Sequence, residues 1–348
     1  MSAQTVLVTG SAGLLGGEIT GRLVDAGYKV IGLINRNPEI RRNSGAVVEP
    51  VEPLQGDITQ EHFGLSKDDW RALATSVDAI IHCAAVTDFT EETDLHRAVN
   101  IEGTRNVLTL AEHAEAKLVH ISTAYVAGER EGHILETELE EGQTFTNGYE
   151  STKYEAERLV RASDVRWAVA RPGIVLGDHA EGRSRSFDTI YPILKVFAEG
   201  WVRTMPAAEH ATLDLVPIDY VCDGVCRILD RFDEAEGRAF HLVSGRPTPL
   251  RAFPDTLSKF DGLSSPDWVA PSDFDLASLR PSERRFFQRG AEVYARYFTR
   301  NPQFKDEHYR AFAGEGCPPC DDEWWQRIVA YCIKDGFIKP RLKEKASA

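Results

Sequence analysis

A tyrosine and a lysine stand four residues apart in the stretch NGYESTKYEAE, residues 147–157. The stretch is typical of the start of a helix, on which Tyr149 and Lys153 share a face. Free tyrosine titrates near pH ~10, and a cation within about 4–6 Å stabilises the phenolate and lowers that pKa. The pair therefore predicts a proton donor for a carbonyl group that receives hydride. Alone, such a pair is more often an ordinary surface pair. The residues that precede it in the chain therefore decide whether the pair is catalytic.

Two hydroxyl side chains precede the pair in VHISTAYVAG, where Ser122 and Thr123 lie at the carboxyl end of a predicted strand. Together with Tyr149 and Lys153 they supply a hydroxyl, a phenol and an ammonium group. We expect these three groups to converge over the nicotinamide ring of a dinucleotide.

A glycine-rich turn, TGSAGLLGGE, separates the first predicted strand from the first predicted helix. In this GxxGxxG spacing, Gly10 permits a tight turn and Gly13 lets the backbone approach a pyrophosphate at the helix N-terminus. Gly16 allows the helix to pack closely on the strand. The predicted dinucleotide-binding turn consists of Gly10, Ser11, Ala12, Gly13, Leu14, Leu15 and Gly16.

The end of the second predicted strand reads LINRNPEIRR, with Asn35 and Arg36 where an acidic residue would favour NAD. An arginine suits a 2′-phosphate, and the missing carboxylate removes a repulsive charge. We therefore expect NADPH rather than NADH, with a solvated loop arginine as the alternative. Asp57 and Ile58 follow the third strand, where Asp57 either meets the adenine amine or caps a turn or helix.

The elements that must position these residues alternate along the first half of the chain. Apolar segments without polar alternation indicate parallel strands covered on both faces, in a doubly wound α/β fold of the Rossmann type. Pro50 and Pro53 fit only an edge strand, and the third strand of a 3-2-1-4-5 sheet is such an edge. The predicted strands cover 4–9, 29–34, 47–54, 78–85, 117–123, 166–173 and 239–244, and the helices about 14–26, 66–76, 92–115 and 149–163.

The alternation ends after about residue 177, and from 245 the chain is rich in proline, aromatic and charged residues. Residues 213–229 are predicted to be a strand followed by a helix that starts at Asp219. We expect an NADP-binding Rossmann domain formed by 1–177 plus 213–244. A smaller, mostly helical substrate lobe, 178–212 plus 245–348, would cover the carboxyl ends of the strands, where ligands bind in this fold class.

The charge balance excludes some classes of function. The 348 residues include 40 Lys and Arg against 54 Asp and Glu, a net charge of −14. This acidity argues against a nucleic-acid binder, whose affinity comes largely from neutralised phosphates. No apolar segment reaches the roughly 18 residues of a membrane span, and no signal peptide precedes the first strand. We expect a soluble cytoplasmic protein.

Six cysteines are too few for a disulfide framework in a chain of this length. Cys317 and Cys320, in the segment CPPC, could form a redox or metal pair, and His308 with Cys332 could complete four zinc ligands. The second half of that set lacks a regular knuckle spacing, and the nearby prolines and acids are typical of a helix entry. We therefore predict no metal site.

The chain resembles the extended short-chain dehydrogenase/reductase superfamily over essentially its whole length. The resemblance rests on TGSAGLLG, GDIT, HCAAVTDF, NIEGTRNVL, HISTAYVAG, YESTK and RPGIVLGD, and it is strongest toward the fatty acyl-CoA reductase and thioester reductase branch. It implies that Thr123 orients the substrate carbonyl, that Tyr149 donates the proton and that Lys153 holds the nicotinamide ribose. It also places Asn100 near the active site, and along the cofactor it places Ala84, Ala85, Val86, Pro172, Gly173 and Ile174.

The resemblance implies a free-standing NADPH-dependent reductase of a lipid-like carbonyl compound, foremost a long-chain acyl thioester on coenzyme A or a carrier protein. A carbonyl reductase or hydroxyl dehydrogenase of a keto lipid or sterol is the alternative, and an NADP-sensing regulator without turnover is another. A phosphopantetheine thioester should meet cations, for which Arg183, Arg185 and Lys195 are candidates. Relatives commonly dimerise through the helices near 92–115 and 149–163, so a homodimer is an open alternative to a monomer.

Overall fold

Seven parallel strands form the central sheet of the computed structural model, which describes residues 3–49, 51–89 and 92–341. The strands of the whole structure are β1 (Thr5–Thr9), β2 (Lys29–Ile34), β3 (Glu52–Gln55), β4 (Ala79–His82), β5 (Lys117–Ile121), β6 (Gly132–Ile134), β7 (Trp167–Pro172), β8 (Ile174–Leu176), β9 (Thr204–Pro206), β10 (Thr212–Leu213), β11 (Leu215–Pro217), β12 (Ala239–Leu242), β13 (Thr248–Pro249), β14 (Asp267–Val269) and β15 (Pro302–Phe304). The sheet order is β12-β7-β5-β4-β1-β2-β3.

Helices cover both faces of this sheet and build most of the remainder. They are α1 (Leu14–Asp25), α2 (Lys67–Ser76), α3 (Asp94–His96), α4 (Gly103–Ala114), α5 (Gly148–Arg161), α6 (Tyr191–Ala198), α7 (Ile218–Asp230), α8 (Phe232–Ala235), α9 (Ala252–Leu257), α10 (Pro281–Phe286), α11 (Glu292–Tyr297), α12 (Glu307–Ala313) and α13 (Asp322–Lys334). Two π-helical turns, Arg97–Glu102 and Phe287–Ala291, interrupt this series. Among the residues described, no helix is long and apolar enough to span a bilayer.

The central sheet confirms the predicted doubly wound fold. Val6 of β1 pairs in parallel with Val30 of β2 on one side and with Ala79 of β4 on the other. The central strands are buried on both faces, which explains their continuous apolar sequence. Because all seven strands run in one direction, their carboxyl ends meet at one edge of the sheet.

The edge strand is shorter than the predicted segment 47–54. β3 contains Pro53 and pairs only with β2, because proline lacks the N–H that a second neighbour would need. Val47 instead forms an isolated bridge with Arg41. Pro50 lies outside the described residues.

A π-helical turn replaces regular helix within the predicted helix 92–115. Thr93 caps α3, whose His96 amide donates to the Thr93 hydroxyl, and the turn Arg97–Glu102 then joins α3 to α4. Such π-turns are frequent at functional sites. The wider turn carries Asn100, which is buried against the strand-end loop after β4.

The segments after β7 enclose a separate apolar core beside the carboxyl ends of the strands. Helices α6 and α13 supply much of this core, including Phe197, Trp324 and Trp325. Tyr309 and Phe312 of α12 pack elsewhere, with Phe240 on one face of the sheet. The division into the two domains predicted from the sequence stays a proposal.

A short strand pair connects this outer part with the chain before β7. β15 pairs in parallel with β6, whereas β11 pairs in parallel with β8, a strand that also follows β7. The amide of Lys305 extends the first pair by donating to the carbonyl of Ile134 at 2.9 Å. The chain therefore crosses between the two parts several times.

Candidate active site

A cavity of about 340 Å³ opens where the carboxyl ends of β1, β4, β5 and β7 face the outer helices. Parallel strands of a doubly wound sheet bind their ligands at this edge. Thirteen of the residues singled out from the sequence line the cavity: Gly10, Gly13, Leu14, Leu15, Gly16, Ala85, Ser122, Thr123, Tyr149, Lys153, Pro172, Gly173 and Ile174.

The glycine turn can accept a closely bound anion. Gly10 has a φ of +68°, and a Cβ there would lie 2.7 Å from the amide nitrogen of Ala84. A Cβ on Gly16 would lie 2.1 Å from the Gly10 carbonyl oxygen, so the helix packs on the turn only because this residue is glycine. Gly13 caps α1 without any side-chain hydrogen bond. The first amides of α1 therefore have no side-chain partner at the cavity, where the N-terminus of a helix can bind an anion.

The start of α5 places the phenol and the ammonium group beside the end of β5. Asn147 caps α5, since its side chain accepts a hydrogen bond from the Glu150 amide at 3.0 Å. Tyr149 is hydrogen-bonded to the hydroxyl of Thr123. Lys153 donates from Nζ to the carbonyl of Ile121, the last residue of β5, at 2.6 Å. The three groups predicted to converge therefore lie in one cavity.

Burial sets the protonation of this group of residues. It raises the pKa of Tyr149 to about 12, against a smaller lowering by the Thr123 hydrogen bond. This is opposite to the direction expected from Lys153, and the expectation was wrong because burial outweighs the other influences on the phenol and the ammonium group donates to the carbonyl of Ile121. Burial also lowers the pKa of Lys153 to about 8, while the nearby Cys83 and Glu157 raise it.

Ser122 has a different partner from Thr123, although the two are adjacent. Its hydroxyl donates to Glu157 Oε2 at 2.6 Å, and Glu157 is paired in turn with the buried Arg171 at 2.8 Å. Thr123 instead accepts from the Tyr125 amide at 3.2 Å and contacts the phenol. This geometry favours Thr123 as the hydroxyl that meets a substrate.

Asn100 connects three parts of the site without lining the cavity. Its Oδ1 accepts from the Val86 amide at 2.8 Å, and its Nδ2 donates to the Val86 carbonyl at 3.1 Å. The same Nδ2 donates to the hydroxyl of Thr152 on α5 at 2.9 Å. The side chain therefore ties the loop after β4 to the helix that carries Tyr149.

Several residues of the turn and of the strand-end loop stand behind the cavity wall. Ser11 donates to the Leu33 carbonyl at 3.0 Å, and the Ala84 amide donates to the Thr9 hydroxyl at 3.2 Å. Ala12 and Val86 are also outside the lining. These residues shape the backbone of the turn and the loop.

The residues predicted to hold the adenosine end lie farther out. Asn35 and Arg36 are exposed at the end of β2, and Arg36 forms no hydrogen bond or ion pair with any described residue. Asp57 accepts from the amide and the hydroxyl of Thr59 at 2.9 and 2.8 Å, as a turn-capping aspartate does. Ile58 is buried. The adenine role of Asp57 stays a prediction.

Aromatic side chains that the sequence did not single out form one wall of the cavity. The Phe89 ring lies 6.2 Å from the Tyr149 and Tyr294 rings and 5.7 Å from the Tyr297 ring, measured between centroids. Tyr294 and Tyr297 come from VYARYF, where their helical spacing was the only local signal. Cys83, Thr87, Tyr125, Ser186, Asp188, Thr189, Ile190, Tyr191 and Leu213 were missed as well.

A second cavity of about 400 Å³ adjoins the first and shares Phe89 and Tyr294 with it. Apolar side chains form most of its wall, among them Ile193 and Val196 of α6 and Val293 of α11. We call this space the side chamber. Phe89 and Tyr294 separate it from Tyr149.

The three cations proposed for a phosphopantetheine arm have different surroundings. Arg185 donates from Nη2 to the Gly13 carbonyl at 2.8 Å, directly over the glycine turn. Arg183 is paired with Glu181, and Lys195 contacts Glu199 at 3.2 Å. Only Arg185 of these three lies against the predicted cofactor site.

The cysteines are distributed between two apolar cores. Cys332 is buried in the core supplied by α6 and α13, whereas Cys317 packs at the edge of the core beneath the sheet. In the part of the chain that the structure describes, no group of three or more His, Cys, Asp or Glu side chains is arranged to hold a metal ion.

A family described as "Male sterility protein", of the NAD-binding type, matches residues 8–225. Among curated proteins, the chain is 30% identical over 302 residues to "Glycine betaine reductase ATRR" of Emericella nidulans, covering 77% of this chain and 23% of that protein. It is 27% identical over 219 residues to "L-2-aminoadipate reductase" of Saccharomyces cerevisiae, covering 58% and 16%. The chain thus spans less than a quarter of the length of these two relatives.

Solved structures agree with the family assignment. The terminal R domain from the myxalamid PKS-NRPS biosynthetic pathway superposes with a TM-score of 0.83 at 25% identity, covering 98% of this chain and 93% of that one. A thiolation-reductase di-domain from an archaeal non-ribosomal peptide synthetase shares the fold, with a TM-score of 0.73 at 20% identity and coverage of 97% and 77%. The chain therefore belongs to the male sterility protein family, and with it to the NAD(P)-dependent oxidoreductases of the extended short-chain dehydrogenase/reductase superfamily.

Proposed function

We propose that the protein uses NADPH to reduce an acyl thioester, carried on coenzyme A or on a carrier protein, to an aldehyde or alcohol. The observation that carries this proposal is the meeting of Thr123, Tyr149 and Lys153 in one cavity with the glycine turn. This set of groups suits hydride addition to a carbonyl carbon with protonation of its oxygen.

The cofactor, when bound, supplies the hydride. Its pyrophosphate would lie on the first amides of α1, and its 2′-phosphate would meet Arg36. The Lys153 ammonium group would hold the nicotinamide ribose. The tight turn supports this placement, because a Cβ at Gly10 would clash with the backbone of Ala84 and one at Gly13 would crowd the Gly10 carbonyl.

The chain's own groups perform the proton chemistry. Thr123 donates a hydrogen bond to the thioester oxygen, and Tyr149 transfers its proton to that oxygen as hydride reaches the carbon. Tyr149 carries its proton at neutral pH, because burial raises the pKa of its phenol above the ordinary value. The resulting thiohemiacetal then loses its thiol and becomes an aldehyde.

The side chamber supports an apolar acyl group, in line with the lipid-like substrate expected from the sequence. A cofactor that runs from the glycine turn to Tyr149 leaves the side of Phe89 and Tyr294 for the substrate. The likeness to a thiolation-reductase di-domain from an archaeal non-ribosomal peptide synthetase supports delivery by a carrier protein.

Consumption of NADPH with parallel release of free thiol tests the proposal. Purified protein is given acyl-coenzyme A thioesters, acyl groups on a carrier protein, aldehydes and long-chain ketones. We expect thioesters to consume NADPH and to release one thiol per acyl group reduced. NADPH consumption with ketones and without any thiol release would instead identify a carbonyl reductase.

A further inference from the structure

The segment CPPC lies between two apolar cores, directly before α13. The Sγ atoms of Cys317 and Cys320 are 3.7 Å apart, and both thiols are half-buried and free. Cys317 packs at the edge of the core beneath the sheet, and Cys320 packs against the core supplied by α6 and α13. Asp321, the next residue, caps α13 by accepting from the Trp324 amide.

The same turn holds the segment 178–183, which precedes the cavity wall. The His179 ring is hydrogen-bonded through Nε2 to the Pro319 carbonyl at 3.1 Å, between the two cysteines. The His179 amide donates to Asp219 on α7 at 3.1 Å. From α13, Arg327 donates to the His179 carbonyl at 3.0 Å.

Residues a few positions further along line the cavity. Ser186, Asp188 and Thr189 belong to its wall, and Arg185 contacts the glycine turn. The CPPC turn therefore contacts, through His179, a segment that leads along the chain to the cavity wall.

We propose that Cys317 and Cys320 are a dithiol that oxidises reversibly to an intrachain disulfide, and that this bond fastens residues 178–183. Thiols at 3.7 Å need only a small approach to bond. The Pro-Pro pair between them restricts the backbone of the turn, so the two sulfur atoms stay close. This inference is independent of the substrate proposed above.

A small-molecule disulfide, for example glutathione disulfide, is the oxidant. The Cys320 thiolate attacks one of its sulfur atoms, and one glutathione leaves. The Cys317 thiol then attacks the Cys320 sulfur, and its proton goes to the second departing glutathione. Two protein thiols are oxidised and one disulfide is reduced. Cys320 attacks before Cys317 because the hydrogen bond to Cys320 and burial raise the pKa of the Cys317 thiol, which keeps Cys317 protonated.

Equilibration of the full chain in glutathione buffers of increasing oxidised fraction tests the proposal. After alkylation and digestion, the peptide that contains both cysteines should carry two labels in reducing buffer. In oxidising buffer it should carry none and should be lighter by two hydrogens. Hydrogen exchange of the amides in 178–183 should slow severalfold in the oxidised protein.

Cys317→Ser and Cys320→Ser should each abolish the transition, whereas Cys226→Ser, a half-buried cysteine of α7, should leave it unchanged. Full labelling of wild-type protein in every buffer would overturn the proposal, as would a lasting glutathione adduct on Cys320. A slowing of exchange confined to 317–320 would disprove the fastening of 178–183.

Discussion

The phenol of Tyr149 is the single group on which the proposed reduction depends most. It lies beside Thr123 and the Phe89 ring, and its proton neutralises the negative charge that hydride addition places on the carbonyl oxygen. Tyr149→Phe should keep the ring contacts and remove only the proton. We expect kcat to fall by about 10²–10⁴-fold while NADPH still binds, as measured by steady-state kinetics and fluorescence titration.

Tyr154→Phe is the matched control for that measurement. Tyr154 lies on the same helix, its ring packs on Phe145, and it does not line the cavity. Its kcat should equal that of the wild type. Turnover of Tyr149→Phe within a fewfold of wild type would remove the proton-donor role.

Arg36 is the residue that should distinguish the two coenzymes. Its guanidinium group is exposed and unpaired among the described residues, so a 2′-phosphate would gain a charged partner at little cost. Arg36→Ala should weaken NADPH binding by about 10- to 100-fold and leave NADH binding nearly unchanged. Calorimetric titration with both coenzymes measures this.

Arg71→Ala provides the control, because Arg71 is an exposed arginine of α2 whose ion-pair partner is Asp68. Arg71→Ala should change the binding affinity of neither NADPH nor NADH. Equal losses of NADPH and NADH affinity in Arg36→Ala would contradict the phosphate assignment.

Local sequence was sufficient to predict the site residues that lie at strand ends and helix starts. Thr123, Tyr149 and the glycine turn occupy such positions, and their neighbours along the chain determine where they point. Tyr294 is 145 residues from Tyr149, and only packing of the outer helices brings it to the cavity. Burial also depends on the whole fold, which is why the direction of the Tyr149 pKa could not be read from the sequence.

Among the elements, α11 and α6 determine how much space the side chamber offers. Val293 is half-buried at the start of α11 and lines the chamber. Val293→Phe should raise KM for long acyl thioesters by about tenfold or more, because the larger ring occupies the space of the acyl chain. Short acyl thioesters should be reduced as before.

The comparison of long with short acyl thioesters shows whether the effect comes from the space for the acyl chain. Val47→Phe, a similar change at an exposed site away from both cavities, should alter neither KM. Thermal unfolding of each variant verifies the fold. A uniform rise of KM for long and short substrates would place the acyl group elsewhere.

The helices and strands also show which elements sequence periodicity can predict and which it cannot. Apolar strands predicted the parallel sheet correctly, since burial on both faces leaves a continuous apolar pattern, and the order 3-2-1-4-5 of the fold class is the order of β3, β2, β1, β4 and β5. The π-turn Arg97–Glu102 has no such pattern, because the extra residue is accommodated by contacts of Asn100 with Val86 and Thr152. Those partners lie in other elements.

At the scale of the whole molecule, one buried ion pair joins α5 to β7. Glu157 and Arg171 are both enclosed, and Arg171 also donates to the Glu138 carbonyl at 2.7 Å. Glu157→Gln would leave the guanidinium group without its counter-charge. We expect the free energy of unfolding at pH 7 to fall by about 3–5 kcal/mol, measured by urea unfolding.

The pH dependence of this loss has a definite sign. Burial raises the pKa of Glu157, but Arg171 and Arg161 outweigh it and bring the pKa to about 2. In the unfolded chain the value is about 4.3. The stabilisation by ionised Glu157 is therefore complete above pH ~4.3 and is lost as the pH falls toward 2.

The free energies of unfolding of the wild type and of Glu157→Gln should accordingly become more similar in strongly acidic buffer. Glu155→Gln, at a half-exposed site of the same helix, should change stability little at any pH. A loss for Glu157→Gln that is independent of pH down to about 2 would contradict the ionised pair.

The parallel pairing of β15 with β6 has a consequence for protein engineering. A chimera that receives only the C-terminal residues of another reductase would have to match a foreign strand to Gly132–Ile134, and a mismatch of one residue reverses every side chain of the pair. Grafts should therefore transfer both strands together. The hydrogen bond from the Lys305 amide to the Ile134 carbonyl belongs to the contact between these strands, which a successful chimera has to preserve.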